Sequence, residues 1–295
     1  MLGYESERRL IELLLTVKDG EQRIESARQR LCLDRDFAPY SAFQRIDRDA
    51  NEFITAYEIQ NFLRDNREYS FSLRECEKLV KFFDSDEDGR LSFLEYLFLF
   101  YFPSFTQIFL PCEDNYLRAQ TQDRYAYRVG RFDYLRASLE YSISDILSQE
   151  LRLMSKVEMA RDSVMRRYDY SVYAAFRSID KYNDGFVDAV SLGSFLRSHY
   201  HYLLEKELLC IVRRLDTDGD ARISYSEFSD FLRSEYVVER PIQAELKPRH
   251  MSEQKARRPQ SSPLRGTNNA RSKNMTSPGK KQINFDSYER TPEKK

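Results

Sequence analysis

The sequence predicts an all-α protein of two similar helical lobes, each opened by an amphipathic helix, with a disordered basic tail behind them. Three observations lead there. Only nine of the 295 residues are glycine and none is tryptophan, which suits helices with few tight turns better than a sandwich or barrel. The chain repeats itself at a period near 133 residues,. Its charge is segregated: residues 1–240 hold 34 Lys/Arg against 43 Asp/Glu, whereas 241–295 hold 13 against 5, an acidic body followed by a basic tail.

The repeat is visible residue by residue. A shift of 133 lays Arg23-Ile24-Glu25 over Lys156-Val157-Glu158, Ala42-Phe43 over Ala175-Phe176, and Phe62-Leu63-Arg64 over Phe195-Leu196-Arg197. A shift of 132 then lays Phe83-Asp84 over Leu215-Asp216. Each copy opens with a helix-spaced apolar stripe: Leu10, Leu13, Leu14, Val17 and Ile24 in the first, and Leu139, Ile143, Ile146, Leu147, Met154 and Val157 in the second,. These helices, 7–31 and 140–166, are expected to pack on their own lobes and partly fill the grooves that an external peptide would use. The resulting organisation is 1–101 for a helix plus the first loop pair, 102–139 for a linker, 140–240 for the second copy, and 241–295 for the tail.

The apolar run Leu97–Phe102, continuing to Ile108–Leu110, is too short to span a bilayer and is cut by Pro103 and Pro111,. It reads as a helix exit packed in the core, or as a segment docked on a partner. The tail carries six of the nine prolines and little to bury, so disorder is its expected state. Four cysteines without Cys-x-x-Cys spacing, and no charged-then-apolar leader, read as buried thiols in a reduced cytoplasmic setting,.

The chemistry lies in four acidic loops, which start 37 residues apart in one copy and 36 in the other. A hard divalent cation such as calcium takes six to eight oxygens, and a twelve-residue loop supplies them from positions 1, 3, 5, the carbonyl of 7, often a water at 9, and a two-oxygen carboxylate at 12. Position 6 is normally glycine because the backbone there is left-handed. Asp84, Asp86 and Asp88, Gly89 at the bend, the carbonyl of Arg90, Ser92 and Glu95 meet every requirement. Asp47, Asp49 and Asn51, the carbonyl of Phe53, Thr55 and Glu58 form a second set, with Glu52 where glycine is wanted. Asp216, Asp218 and Asp220, the carbonyl of Arg222, Ser224 and Glu227 form a third, with Ala221 at the bend. Both departures predict weakened affinity, because an L-residue held left-handed costs about 1–2 kcal/mol. In the loop from Asp180, Tyr182 fills position 3 and Ser191 replaces the carboxylate at 12. That loop reads as a structural brace through Val187 against Ile223, with magnesium or weak calcium binding as the alternative.

These loops resemble the EF-hand superfamily, the calmodulin and troponin C group, over about 35–103 and 168–236. The resemblance implies two lobes of paired EF-hands that bind calcium at the matching positions, with magnesium an option at the weaker loops. The chain departs from calmodulin in its extra helices, its basic tail, and the absence of methionine from the paired segments. Met-lined grooves serve promiscuous sensors; phenylalanines fill these positions instead, which points to one dedicated protein partner.

No phosphate-cradling glycine loop occurs, and His199, His201 and His250 have no evident nucleophile partner, so an enzyme is disfavoured. The expected function is a calcium-responsive sensor or scaffold of a cytoskeletal or ciliary assembly. The alternatives are a regulatory subunit of a kinase or phosphatase, or a calcium buffer. The tail, with Ser262-Pro263, Ser277-Pro278 and Thr291-Pro292, suits attraction to an anionic surface such as a microtubule,. Nucleic acid is disfavoured, since only Phe285 and Tyr288 there could stack on bases,.

Overall fold

A computed structural model describes residues 2–84, 86–93, 95–97, 100–102, 104–130 and 132–233. The tail expected to be disordered lies outside the described residues. The first copy runs α1 (Tyr4–Leu33), α2 (Pro39–Ile46), β1 (Phe53–Ile54), α3 (Ala56–Asp65), α4 (Leu73–Phe83) and β2 (Leu91–Ser92). Then come β3 (Glu95–Leu97), β4 (Phe100–Phe102), α5 (Ser104–Phe109) and α6 (Asn115–Gln122). The second copy runs α7 (Ala137–Met165), α8 (Val172–Ile179), β5 (Phe186–Val187), α9 (Ala189–Ser198), α10 (Glu205–Leu215), β6 (Ile223–Ser224) and α11 (Tyr225–Leu232). The all-α expectation holds: apart from three two-stranded ladders, the ordered elements are helices. No helix among the described residues is long and apolar enough to cross a membrane.

Local chemistry starts the helices where the loops end. Thr55 and Glu58 form a reciprocal capping box on α3, Ser72 and Glu75 one on α4, and Ser224 and Glu227 one on α11, each satisfying N–H groups that the first turn leaves without partners. Between paired loops, β1 and β2 place Ile54 against Leu91, and β5 and β6 place Val187 against Ile223.

The two long helices do not pack on their own lobes alone, and this corrects the expectation for 7–31 and 140–166. Leu10, Leu13, Leu14, Val17 and Ile24 of α1 belong to the core of the second copy, with Phe176, Phe195 and Phe228. Only the last turns of α1, through Ala27, Leu31 and Cys32, enter the core of the first copy. Conversely, α7 gives Leu139, Ile143, Ile146, Leu147 and Leu151 to the first core, and Leu153, Val157 and Val164 to the second. The helices therefore run antiparallel and each spans both cores. A helix of 30 residues is about 45 Å long, more than one loop pair can cover. They approach closely at Gly20, where an added Cβ would collide with the Leu153 side chain.

A second correction concerns the apolar run after Asp84. In place of a helix exit, β3 pairs antiparallel with β4, setting Tyr96 opposite Tyr101 and Leu97 opposite Phe100. The run is rich in aromatic residues that favour strands, and Pro103 biases the residue before it toward extended backbone. Beyond the run, Phe105 and Phe109 of α5 are buried against Phe43 and its neighbours.

Where the long helices meet α10, the interior is ionic. Glu150 of α7 is fully buried; its Oε1 accepts from Arg28 Nη2 of α1 at 2.8 Å, and its Oε2 from Arg214 Nη1 of α10 at 2.8 Å. Arg214 also donates to Glu21 Oε1 at 2.7 Å, and Arg28 Nε to the carbonyl of Ile108 at 2.9 Å. Burial acts to lower both guanidinium pKa values, but Glu150 and then Glu21 outweigh it and leave both above the ordinary arginine value,. Glu25 of α1 accepts the backbone N–H groups of Cys112 and Glu113, which ties the inter-copy segment to the same hub.

Candidate metal centre

In three of the four loops the carboxylates converge. Asp47, Asp49 and Glu58 bring one oxygen each within 4.8 Å of one another, as do Asp84, Asp86 and Asp88, and Asp216, Asp218 and Glu227. Each loop is folded by its own first aspartate, which accepts the backbone N–H of position 6: Glu52 to Asp47 at 3.0 Å, Gly89 to Asp84 at 2.7 Å, Gly185 to Asp180 at 3.2 Å, and Ala221 to Asp216 at 2.8 Å. The position-5 side chains turn the chain again: Asn51, Asp88 and Asp220 each accept the N–H of position 7 at 2.8 Å. The loop pattern assigns the position-7 carbonyls of Phe53, Arg90 and Arg222 to an ion. Their side chains pair across each bridge, with Arg90 stacked on Phe53 at 5.5 Å and Arg222 on Phe186 at 5.7 Å.

The residues fit a divalent cation. Asp84 Oδ1 is buried without a hydrogen-bond partner among the described residues, and a buried carboxylate oxygen demands a donor or a cation. Asp86 beside it is held above the ordinary carboxylate pKa, first by desolvation and then by Asp84 and Asp88. Asp47, Glu58 and Asp216 are raised too, with burial the largest cause. An all-oxygen set of clustered carboxylates with backbone carbonyls is the donor chemistry of Ca2+.

The position-12 carboxylates have two roles. Glu227 Oε2 caps Ser224 N at 2.8 Å, while its Oε1 reaches back to Thr217 N and Oγ1 at 2.7 and 2.9 Å. These backbone and hydroxyl bonds outweigh burial and hold its pKa below the ordinary value. Glu58 likewise accepts from Thr55 N at 2.9 Å and Arg48 N at 3.2 Å. Glu95 stands at the first residue of β3, not at a helix start; its side chain lies outside the described residues.

Backbone conformation adds a feature the motif did not reveal. Every loop has a second left-handed residue at position 4: Ala50 (φ 58°), Glu87 (59°), Asn183 (60°) and Gly219 (79°). Position 6 follows the expectation, with Glu52 at 68° and Ala221 at 62°. The Asp47 loop thus strains two non-glycine residues, while Gly219 relieves the Asp216 loop of one.

The loop from Asp180 does not bring three carboxylates together among the described residues. Arg177 donates to Asp180 Oδ2 at 3.3 Å and to Asn183 Oδ1, and Asp188 accepts the N–H of Ser191 at 2.7 Å. That bond is the first cause of the lowered Asp188 pKa.

The EF-hand domain pair model matches residues 39–101 and 169–233. With the helix–loop–helix geometry and paired loops, this defines an EF-hand superfamily protein with two EF-hand pairs. Among curated proteins, the chain is 30% identical to human Calcium-binding protein 8 over 120 residues, 41% of this chain and 45% of that protein. It is 29% identical to rat Calcium-binding protein 7 over 92 residues, 31% and 39% of the two chains. It is 41% identical over 54 residues to Probable calcium-binding protein CML11 of Oryza sativa subsp. japonica, 18% and 26% of the two chains. The match spans under half the length of each of these relatives.

Proposed function

We propose that the protein is a non-enzymatic calcium sensor or scaffold acting through one dedicated protein partner, in a cytoplasmic assembly of cytoskeletal or ciliary type. The buried oxygen of Asp84, partnerless among the described residues and within a cluster of three aspartates, carries the calcium part. The dedicated-partner part is supported by how each pair is closed. In the second copy, α1 lies in the core with Phe176, Phe195 and Phe228; in the first, α5 and α7 cover Phe43 and Phe62. Apolar surface that a promiscuous sensor offers to passing helices is here covered by the chain itself. The cytoskeletal part rests on the basic composition of 241–295 and its attraction to anionic surfaces,.

Cosedimentation with microtubules, with and without residues 241–295, tests the scaffold reading: binding lost with the tail supports it, and no binding by the full chain removes it. The filled cores also favour a second reading, a calcium buffer. An apolar-surface dye followed during calcium titration separates the two, since a buffer binds calcium without dye uptake.

A further inference from the structure

The two copies touch at equivalent residues. Phe82 of α4 and Arg214 of α10 are 132 residues apart, the repeat period at this point of the chain, and each stands two residues before the first aspartate of its loop, Asp84 or Asp216. The guanidinium carbon of Arg214 lies 4.0 Å from the centroid of the Phe82 ring, close contact for a cation on an aromatic face. Asp84 and Asp216 also terminate α4 and α10, donating their N–H groups to Val80 and Val212. Any pull on these aspartates therefore acts on the helical turn that carries Phe82 or Arg214.

We propose that this contact is a joint through which calcium bound in one pair changes the calcium affinity of the other. The inference rests on the calcium reading above and adds coupling between the pairs. On one side, Arg214 is locked by Glu150 and Glu21. On the other, Phe82 borders a cavity of about 510 Å3 with Met154, Val157 and Phe231, so its ring has room to shift without repacking a core. Glu150 gives one oxygen to each arginine. A displaced Arg214 must carry Glu150 and Arg28 with it or leave a buried charge unpaired, which is strongly disfavoured. Such an element favours discrete arrangements over gradual deformation, and coupling through it is reciprocal.

The chain has no tryptophan, so Tyr225→Trp on α11 reports on the second pair alone. In the full chain, second-pair calcium affinity is measured with the first pair intact and with Asp47→Asn/Asp84→Asn. The expected result is a change of about fivefold or more, which falls below about twofold when Phe82→Leu removes the stacked ring and leaves every ligand in place. Glu150→Gln should uncouple the pairs likewise; should it fail to fold, Phe82→Leu alone carries the test. Equal affinities with and without the first-pair ligands, or coupling undiminished by Phe82→Leu, would overturn the joint. Calorimetric stoichiometry on the same samples separates this from the wider reading: bound calcium without coupling removes only the joint, and no bound calcium removes both.

Discussion

Arg177 places Nη1 3.3 Å from Asp180 Oδ2 and bonds Asn183 with the same nitrogen, so a tethered guanidinium stands inside the one loop that lacks an acidic cluster among the described residues. A positive group fixed there meets part of the need that a metal meets in the other loops. The expected stoichiometry is three Ca2+ per chain, one for each converged cluster. Calorimetric titration checks this: Asp216→Asn should lower the count by one, and Asp180→Asn should leave it unchanged. A lower count for Asp180→Asn would show an ion in that loop.

The left-handed residues predict which loops can be improved. Glu52→Gly and Ala221→Gly should each raise calcium affinity by relieving about 1–2 kcal/mol of backbone strain. Ala50→Gly should help the Asp47 loop further, whereas Gly219→Ala should weaken the Asp216 loop, since both positions have φ above +50°. Calcium titrations of the four single variants decide it. No gain at Glu52 would mean that the loop adapts without cost.

Gly20 sets the separation of the long helices, because Leu153 occupies the space a methyl group would need. Gly20→Ala should destabilise the protein by about 1–3 kcal/mol through overpacking, offset in part by the roughly 1 kcal/mol gain in helix propensity. In a chemical-denaturation cycle with Leu153→Ala, the two substitutions should be non-additive by more than about 0.5 kcal/mol. Additivity would mean that the contact is not tight.

Thiol chemistry offers a check on burial. Desolvation is the largest cause pushing Cys32 and Cys76 up to about 11 and Cys210 to about 12; for Cys210 the Glu113 carboxylate adds to it. The thiolate is the nucleophile, so at pH 8 only about one in a thousand of the Cys32 and Cys76 thiols is reactive. Alkylation at pH 8 read by mass spectrometry should label half-buried Cys112 first. The other three should follow only on unfolding or as the pH approaches their raised values.

What the sequence made legible was whatever depends on single residues at fixed spacing. Asp84, Asp86 and Asp88 had to converge if the loop closed, and Val187 had to meet Ile223 if the loops paired. What it hid depends on opposing surfaces. The spacing of Leu10, Leu13, Leu14 and Val17 marks a buried face but not what lies against it, so their place beside Phe176 was invisible. The pairing of Glu150 with Arg28 was equally hidden, because a buried ion pair uses the same letters as an exposed one. For the left-handed position 4 a signal was present: Gly219 and Asn183 occupy it in two of the four loops, and both residue types tolerate that conformation.

The exchange of α1 and α7 between the cores bears on how the molecule comes apart. A duplicated chain ordinarily yields two beads on a string, each free to melt or be cut away while the other persists. Here, peeling away either copy strips its neighbour of a structural rib: Leu10, Leu13, Leu14 and Val17 leave the second core, or Ile143, Ile146 and Leu147 leave the first. The duplication has become a clasp, and its two halves are expected to unfold in a single cooperative step.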